Sequence, residues 1–171
     1  MASQYAVIRD GFFAALQRMQ CRQVGFTGHS QGAGLAALAF LDVSGNLDLQ
    51  LGPVYTFAMY RIGNQGLVDA YVRAAEKQGL SPPMWRIVHN LDPVPRYPAA
   101  SLFDGAHPGV HFPLEVYYTD LNSTHWEICP PAPGNHENKT CSAAVPLSGC
   151  PNSTSPMYDL NHNRYFNRTT A

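Results

Sequence analysis

The sequence predicts an α/β domain whose mostly parallel sheet carries helices on both faces. Short apolar runs typical of strands alternate along the chain with longer segments whose apolar residues recur every three to four positions. Strands that alternate with helices are typical of parallel sheets with helical crossovers. A length of 171 residues allows one domain with a substantial core, so residues 1–171 are predicted to form a single domain.

The first third of the chain predicts a helix, a strand and a second helix. From Tyr5 to Met19 the apolar residues fall on one face of a helix. Residues 23–27 are typical of a short strand. Residues 28–34 form a glycine-rich turn, and residues 35–41, apolar on nearly every side, predict a buried helix.

The middle of the chain predicts three further strands and one helix. Residues 54–57 are typical of a strand, and a helical pattern begins near Asn64 and ends at Gly79. Residues 85–89 and 115–118 predict two more strands.

The composition argues against nucleic acid as a partner and against a transmembrane segment. Lys and Arg number 11 and Asp and Glu 12, so the formal net charge is −1 and no basic surface is available for phosphates. Charged residues make up 13% of the chain, against the ~25% usual in soluble domains, which indicates a protein outside the cytosol. No apolar run is long enough to span a bilayer, and Arg9 and Asp10 interrupt the start where a signal peptide would be apolar.

Residues 119–171 form a loop-rich tail whose composition indicates a secreted protein. The tail holds three of the four cysteines and four glycosylation sequons, which begin at Asn122, Asn138, Asn152 and Asn167. The tail cysteines are Cys129, Cys141 and Cys150, and the fourth cysteine is Cys21. Four cysteines allow three pairings, and the sequence leaves open which of them form and which thiols stay free.

The residues Gly28, His29, Ser30, Gln31 and Gly32 fit the pattern Gly-x-Ser-x-Gly between a predicted strand and a predicted buried helix. In that context the pattern predicts a nucleophile elbow, a turn so sharp that the serine hydroxyl is exposed. We expect the flanking glycines, Gly28 and Gly32, because a side chain at either position would collide with the strand or the helix. The alternative is a glycine-rich connection without chemistry.

A serine nucleophile needs a histidine base and a carboxylate, in the chain order Ser, Asp, His for this kind of turn. Asp92 follows the predicted strand 85–89, at the edge where α/β sheets place their sites. Asp104 and Asp120 are the competing acids, and Asp92 before proline is also typical of a simple turn.

The candidate bases after Asp92 include His162, His107 and His111. His162 lies among aromatic residues in an otherwise polar tail, which predicts that this segment docks onto the body of the domain. His107 and His111 lack the cysteine or carboxylate partners of a closed metal site, so no metal is predicted. We expect the ring of His29 to pack or to form a hydrogen bond beneath the serine rather than to act as the base.

Four blocks of the chain resemble the class 3 lipase family, the group of secreted fungal-type lipases and feruloyl esterases. The blocks are residues 24–36 around the serine, residues 56–64 with Arg61-Ile62-Gly63-Asn64, residues 86–95 around Asp92, and His162 with Tyr165 and Phe166. The resemblance implies a partial α/β-hydrolase fold with Ser30 as nucleophile, Asp92 orienting the base and His162 as base. The backbone N–H of Gln31 is the implied oxyanion donor.

The chain departs from the family at three places. Gln31 stands where the family usually has leucine, and Ala58-Met59-Tyr60 stands in place of a typical Gly-Ser-Pro stretch in the wall of the acyl pocket. The upstream strands, the lid and the loop with a second oxyanion donor do not precede Met1, so the resemblance covers about the last two thirds of a family domain. This predicts that the strand holding Val24 is an unpaired edge.

The resemblance implies a carboxylic ester hydrolase without metal or cofactor, acting on acylglycerols or related lipid esters in contact with a lipid surface. Three alternatives stay open. The chain could be a non-catalytic lipase-like protein that serves as a secreted binding module, a feruloyl-type cell-wall esterase, or another serine hydrolase such as a peptidase.

Overall fold

The computed structural model describes residues 1–99, 109–133 and 137–166, together with the backbone strand at 168–169. The helices are α1 (Ala2–Met19), α2 (Gln31–Asn46), α3 (Gln65–Lys77) and α4 (Pro156–His162). The strands are β1 (Gln23–His29), β2 (Gln50–Phe57), β3 (Trp85–His89), β4 (Glu115–Tyr118), β5 (Trp126–Cys129), β6 (Arg164–Tyr165) and β7 (Arg168–Thr169).

Five strands form one mostly parallel sheet in the order β1-β2-β3-β4-β5. Strands β1 to β4 are parallel, and β5 pairs antiparallel to β4. This confirms the α/β prediction. The strand β1 lies at one edge, as expected, whereas β5 was not predicted because its four residues lie in a tail whose turn-forming composition hides it.

Helices α1, α2 and α3 share one face of the sheet and one apolar core. Phe26 of β1, Phe40 of α2 and Tyr71 of α3 stack edge to face or tilted, with ring centroids 5.7 Å apart for the first pair and 4.7 Å for the second. Phe12 of α1 joins them, 6.4 Å from Phe26. Contacts of this kind, together with the buried area, hold the three helices to the sheet.

The opposite face of the sheet is covered at its carboxyl end. There α4 and β6 bring His162 and Tyr165 against His29, with ring centroids 4.7 and 5.7 Å away. The same face also presents large apolar side chains to solvent: Tyr55 of β2 is 43% exposed, and Trp126 of β5, which pairs with Tyr118 at the end of β4, is 57% exposed. Helices therefore lie on both faces of the sheet, as predicted: α1, α2 and α3 on one face and the short α4 on the other.

Helix α2 is longer than the predicted segment 35–41, because it begins at Gln31 directly after the serine. The glycines in residues 28–34 are thus divided between the end of β1 and the first turn of α2, and do not form a separate loop. Helix α3 begins where predicted: the side chain of Asn64 accepts the N–H of Leu67 at 3.3 Å, an N-cap. Gly79 follows the helix with φ of 70°, a left-handed conformation that suits glycine.

The tail is fixed to the domain by covalent and ionic contacts. A disulfide joins Cys129 to Cys141, whereas Cys21 and Cys150 are free thiols. The carboxylate of Glu137 binds the guanidinium of Arg61 through two hydrogen bonds of 2.6 and 2.7 Å. The loop-rich tail is therefore an ordered cover where the structure describes it.

Three residues considered above lie outside the described residues: Asp104, His107 and the sequon residue Asn167. Among the helices of the described ranges, none combines the length and the apolarity that a bilayer crossing requires.

Replacement of Phe40 by alanine tests the shared core. Phe40 is fully buried, so we expect Phe40→Ala to lower the free energy of unfolding by about 3–5 kcal/mol. Val7, which is 85% exposed, provides the control. Val7→Ala is expected to change the free energy of unfolding by less than about 0.5 kcal/mol. Urea denaturation followed by circular dichroism measures both. Equal effects of the two variants would contradict a core centred on Phe40.

Candidate active site

The turn from β1 into α2 holds Ser30 in a strained conformation. Ser30 has φ of 53° and ψ of −120°, a region that residues with side chains rarely adopt. Its N–H donates to the carbonyl of Phe57 in β2 at 2.9 Å, which fixes the turn to the sheet. This sharp turn between β1 and α2 is compatible with the nucleophile elbow that the sequence predicts.

Gly28 makes the sharp turn sterically feasible. A Cβ atom at Gly28 would lie 2.2 Å from the carbonyl oxygen of Gly32, far inside contact distance, and the atom in the way is backbone. At Gly32 a Cβ atom would meet nothing within 4 Å among the described residues. The expected steric need for glycine therefore holds at Gly28 and is wrong at Gly32, because Gly32 borders an open cavity between α1, β1 and α2.

Three side chains from distant parts of the sequence line up at the carboxyl end of the sheet. The Oγ atom of Ser30 lies 3.1 Å from Nε2 of His162, and Nδ1 of His162 lies 3.1 and 3.2 Å from the two carboxylate oxygens of Asp92. Asp92 is fully buried and His162 is 5% exposed. The structure thus brings together the residues that the sequence selected as nucleophile, base and acid.

The partners decide where the protons lie. A carboxylate only accepts hydrogen bonds, so Nδ1 of His162 carries a proton and donates a hydrogen bond to Asp92. In the neutral ring Nε2 then holds the lone pair and accepts the hydroxyl of Ser30. This arrangement can take the hydroxyl proton when Oγ attacks a carbonyl carbon.

The buried carboxylate of Asp92 has further donors. The N–H of Val94 donates to Oδ1 at 2.9 Å, and the hydroxyl of Tyr165 donates to Oδ2 at 2.8 Å. Burial first, and then the negative charge of Asp92, raise the pKa of Tyr165 well above its ordinary value, so this hydroxyl stays a donor. These hydrogen bonds compensate the loss of water around the carboxylate.

Two imidazoles bind the last carbonyls of α4 and so fix the helix that carries His162. Nε2 of His29 donates to the carbonyl of His162 at 2.8 Å, and Nδ1 of His89 lies 3.0 Å from the carbonyl of Asn161. Burial lowers the pKa of His29, which favours the neutral ring, and the carbonyl acceptor places a proton on Nε2. The expectation that His29 supports the site rather than acting as base agrees with this contact.

Arg96 links the turn around Asp92 to the tail. It is buried, and its guanidinium donates to backbone carbonyls on both segments. On the acid side the acceptors are Asn90 and Asp92, and on the tail side Ser142 and Val145, the last two at 3.0 and 3.1 Å. Because Cys141 precedes this part of the tail, the disulfide and Arg96 restrain the same segment.

The competing residues occupy other places where the structure describes them. Nε2 of His111 donates to the carbonyl of Pro95 at 2.6 Å, and burial and then the charge of Arg86 lower the pKa of this histidine well below its usual value. Asp120 accepts backbone N–H groups of its own turn, from Asn122, Thr124 and His125. Neither residue is hydrogen-bonded to Ser30 or His162.

The N–H of Gln31 lies at the first position of α2, where no carbonyl of the same helix can accept it. This amide follows the nucleophile directly, the position from which an elbow supplies an oxyanion donor. The positive end of the helix dipole favours negative charge at the same point. The position of the Gln31 amide is therefore compatible with the role of oxyanion donor that the sequence predicts.

Three residues in the described part of the chain bring potential metal-ligand atoms close together, but they do not fit a metal site. They are Glu115, Cys129 and Cys141. The two sulfur atoms are bonded to each other, and Glu115 pairs with the guanidinium of Arg86. Their donor atoms are therefore already engaged.

Four residues that support the site were not assigned roles from the sequence: His89, Arg96, Asn161 and Tyr165. Only Tyr165 carried a signal, since it lies three residues after His162 beside the aromatic segment. The others bind backbone atoms of segments that are distant in sequence, and no local pattern reports such contacts.

Comparison with known proteins gives a consistent result. A family model described as Lipase (class 3) matches residues 1–102. The chain is 31% identical over 125 residues to secreted mono- and diacylglycerol lipase A of Penicillium cyclopium, covering 71% of this chain and 37% of that protein. It is 28% identical over 134 residues to a secreted mono- and diacylglycerol lipase of Malassezia restricta, covering 75% and 41%. The chain thus spans about two fifths of the length of these curated relatives.

Solved structures show the same fold. Lipase II from Rhizopus niveus superposes with a TM-score of 0.73 at 24% identity, over 98% of this chain and 57% of that chain. The mono- and diacylglycerol lipase from Aspergillus oryzae gives a TM-score of 0.69 at 25% identity, over 96% and 56%. Nearly all of this chain therefore has a counterpart in each neighbour, and more than half of each neighbour has one here.

The two glycines of the elbow should respond differently to alanine. Gly28→Ala places a methyl group on the backbone of Gly32, so we expect a loss of several kcal/mol in the free energy of unfolding, or no folded product. Gly32→Ala has free space in a helix and is expected to change stability by about 1 kcal/mol or less, with a gain in helix propensity. Denaturant unfolding of both variants provides the measurement. A tolerated Gly28→Ala would refute the close backbone approach.

The hydrogen bond from Tyr165 to Asp92 should contribute measurably to stability. Tyr165→Phe removes one donor from a buried carboxylate, and we expect a loss of about 1–3 kcal/mol in the free energy of unfolding. Tyr55, which is 43% exposed, is the control, and Tyr55→Phe is expected to be neutral. Thermal unfolding by calorimetry compares the two, and an unchanged Tyr165→Phe would argue against the contact.

Proposed function

The chain belongs to the class 3 lipase family, and from that premise we propose that it is a serine carboxylic ester hydrolase acting on acylglycerols. The observation that carries the proposal is the continuous line of contacts from Ser30 through His162 to the buried Asp92. The chain spans only part of its relatives, so activity and substrate are proposed for it and not transferred from them.

The first half of the proposed reaction acylates Ser30. Oγ attacks the acyl carbon while Nε2 of His162 takes the hydroxyl proton, and the carbonyl electron pair moves to its oxygen. The tetrahedral intermediate collapses, the bond to the alcohol breaks, and the departing oxygen takes the proton from Nε2. The products of this half are the free alcohol and an ester on Ser30.

Water completes the cycle. Nε2 of His162 takes a proton from water as its oxygen attacks the acyl carbon, and collapse of the second intermediate releases the carboxylic acid and returns the proton to Oγ. The carboxylate of Asp92 holds the ring in the tautomer with the lone pair on Nε2. It also stabilises the imidazolium that forms twice in each cycle.

The N–H of Gln31 is the oxyanion donor in this mechanism. It lies on the residue after the nucleophile, at the start of α2. Loss of one of two donors typically lowers the rate by ~10²–10³-fold. We therefore expect the Gln31 amide to contribute a factor of about that size to the rate.

Two observations support acylglycerols as substrates and secretion as the location. Both curated relatives are named as secreted mono- and diacylglycerol lipases. The disulfide between Cys129 and Cys141 and the exposed sequon residues Asn122 and Asn152 fit an oxidising, glycosylating compartment. We therefore propose an extracellular enzyme that meets its substrate at a lipid surface.

Labelling with a fluorophosphonate probe tests the nucleophile without assuming an acyl group. We expect the 171-residue chain and the control Ser44→Ala to gain the mass of one probe, and Ser30→Ala to gain none. Ser44 lies on the same helix, where its hydroxyl binds the carbonyl of Leu41. A folded, monodisperse wild-type sample that stays unlabelled would contradict the proposal and favour the non-catalytic alternative.

The release of fatty acid from a monoacylglycerol, compared with the release of ferulate from methyl ferulate, tests the substrate class. We expect the higher kcat/KM on the acylglycerol. The reverse order would retain ester hydrolysis and reject the acylglycerol assignment.

A further inference from the structure

Asn161 is a fully buried amide that directly precedes His162 on α4. Because the side chain is shielded from water, both ends of the amide need hydrogen-bond partners within the protein. Its Nδ2 donates to the carbonyl of Met157, one turn earlier in the helix, at 2.7 Å. Its Oδ1 accepts the N–H of Leu91 at 3.0 Å, and Leu91 directly precedes Asp92.

These partners leave one orientation for the amide. A carbonyl oxygen only accepts and a backbone N–H only donates, so the nitrogen must face Met157 and the oxygen must face Leu91. A flipped amide would break both contacts. The assignment therefore follows from the chemistry of the two neighbours.

The three amides of the turn around Asp92 are held by three different elements. The N–H of Asn90 donates to the carbonyl of Tyr118 in β4, and the N–H of Asp92 donates to the carbonyl of His89 in β3. These two fix the turn to the sheet. The N–H of Leu91 alone binds the helix that carries His162.

We propose that Asn161 is a positioning residue that sets the separation of Asp92 and His162 by tying the acid turn to α4. The inference rests on the proposed function. Its side chain joins the residue before the acid to the residue before the base, which is a direct route between them outside the Asp92–His162 contact itself.

The length of α4 explains why such a tie matters. A helix of seven residues is too short to be stable by itself, so its position depends on contacts with other elements. A shift of about 1 Å would lengthen the contacts of 3.1 Å that His162 makes with Asp92 and Ser30 beyond hydrogen-bond distance. Misplacement of this size can lower a rate by about 10²-fold.

Asn161→Leu tests the proposal, because leucine has nearly the same shape and removes both hydrogen bonds without a cavity. Leu160→Ala is the matched control, since Leu160 lies on the same helix and is half-buried, but its side chain cannot form a hydrogen bond to the acid turn. Two measurements are made on each protein: the rate of fluorophosphonate labelling, and the strongly deshielded proton resonance of Nδ1–H in His162, assigned by its absence in His162→Gln.

We expect Asn161→Leu to label about 10- to 100-fold more slowly, with the resonance weakened or lost, and Leu160→Ala to melt at a lower temperature with both readouts unchanged. Wild-type rate and resonance in Asn161→Leu would overturn the inference, as would equal losses in Leu160→Ala. If wild-type protein is not labelled at all, the proposed function fails. The resonance then decides alone: its loss in Asn161→Leu supports the positioning role, and its retention refutes it.

Discussion

The carboxylate of Asp92 is fully buried. The arrangement of the second half of the structure depends on supplying hydrogen-bond donors to this carboxylate. Removing a carboxylate from solvent is costly unless hydrogen bonds and an opposite charge replace the water. Here the donors come from its own turn, from α4 and from β6, through Val94, His162 and Tyr165. One buried group thus draws together segments that are separated by about seventy positions, and its orientation gives His162 the tautomer that a base requires.

The first half of the structure solves a different problem, which is to hold a serine in an unfavourable backbone conformation. The apolar contacts around Phe40 press α2 against the sheet, and the hydrogen bond from Ser30 to Phe57 fixes the turn to β2. The close approach of Gly28 to Gly32 is possible only without a side chain at the first of these positions. Packing energy spread over the core therefore sustains strain at one residue.

The sequence was sufficient for the elements whose signals are local. The periodicity of α1 and the apolar runs of β1 to β4 depend on residues close together in the chain, and these predictions were confirmed. The glycine pattern around Ser30 is equally local, and its expected steric need holds at Gly28 but not at Gly32. The pairing of Cys129 with Cys141, the strand β5 and the roles of Arg96 and Asn161 were not accessible. They depend on which distant backbone groups become neighbours, and a polar residue has the same local pattern whether it is buried or exposed. The catalytic roles of Ser30, Asp92 and His162 remain predictions, with geometry that favours them.

The long sequence separation between the elbow and α4 affects the order of folding. Ser30 and His162 are 132 residues apart, so their contact closes a very long loop, and contacts of this kind form late because the entropy of closure must first be overcome. A helix of seven residues is also prone to local opening within the native state. We therefore expect the sheet and α1 to α3 to form before the site is complete, so that activity depends on the docking of α4 as well as on the stability of the core.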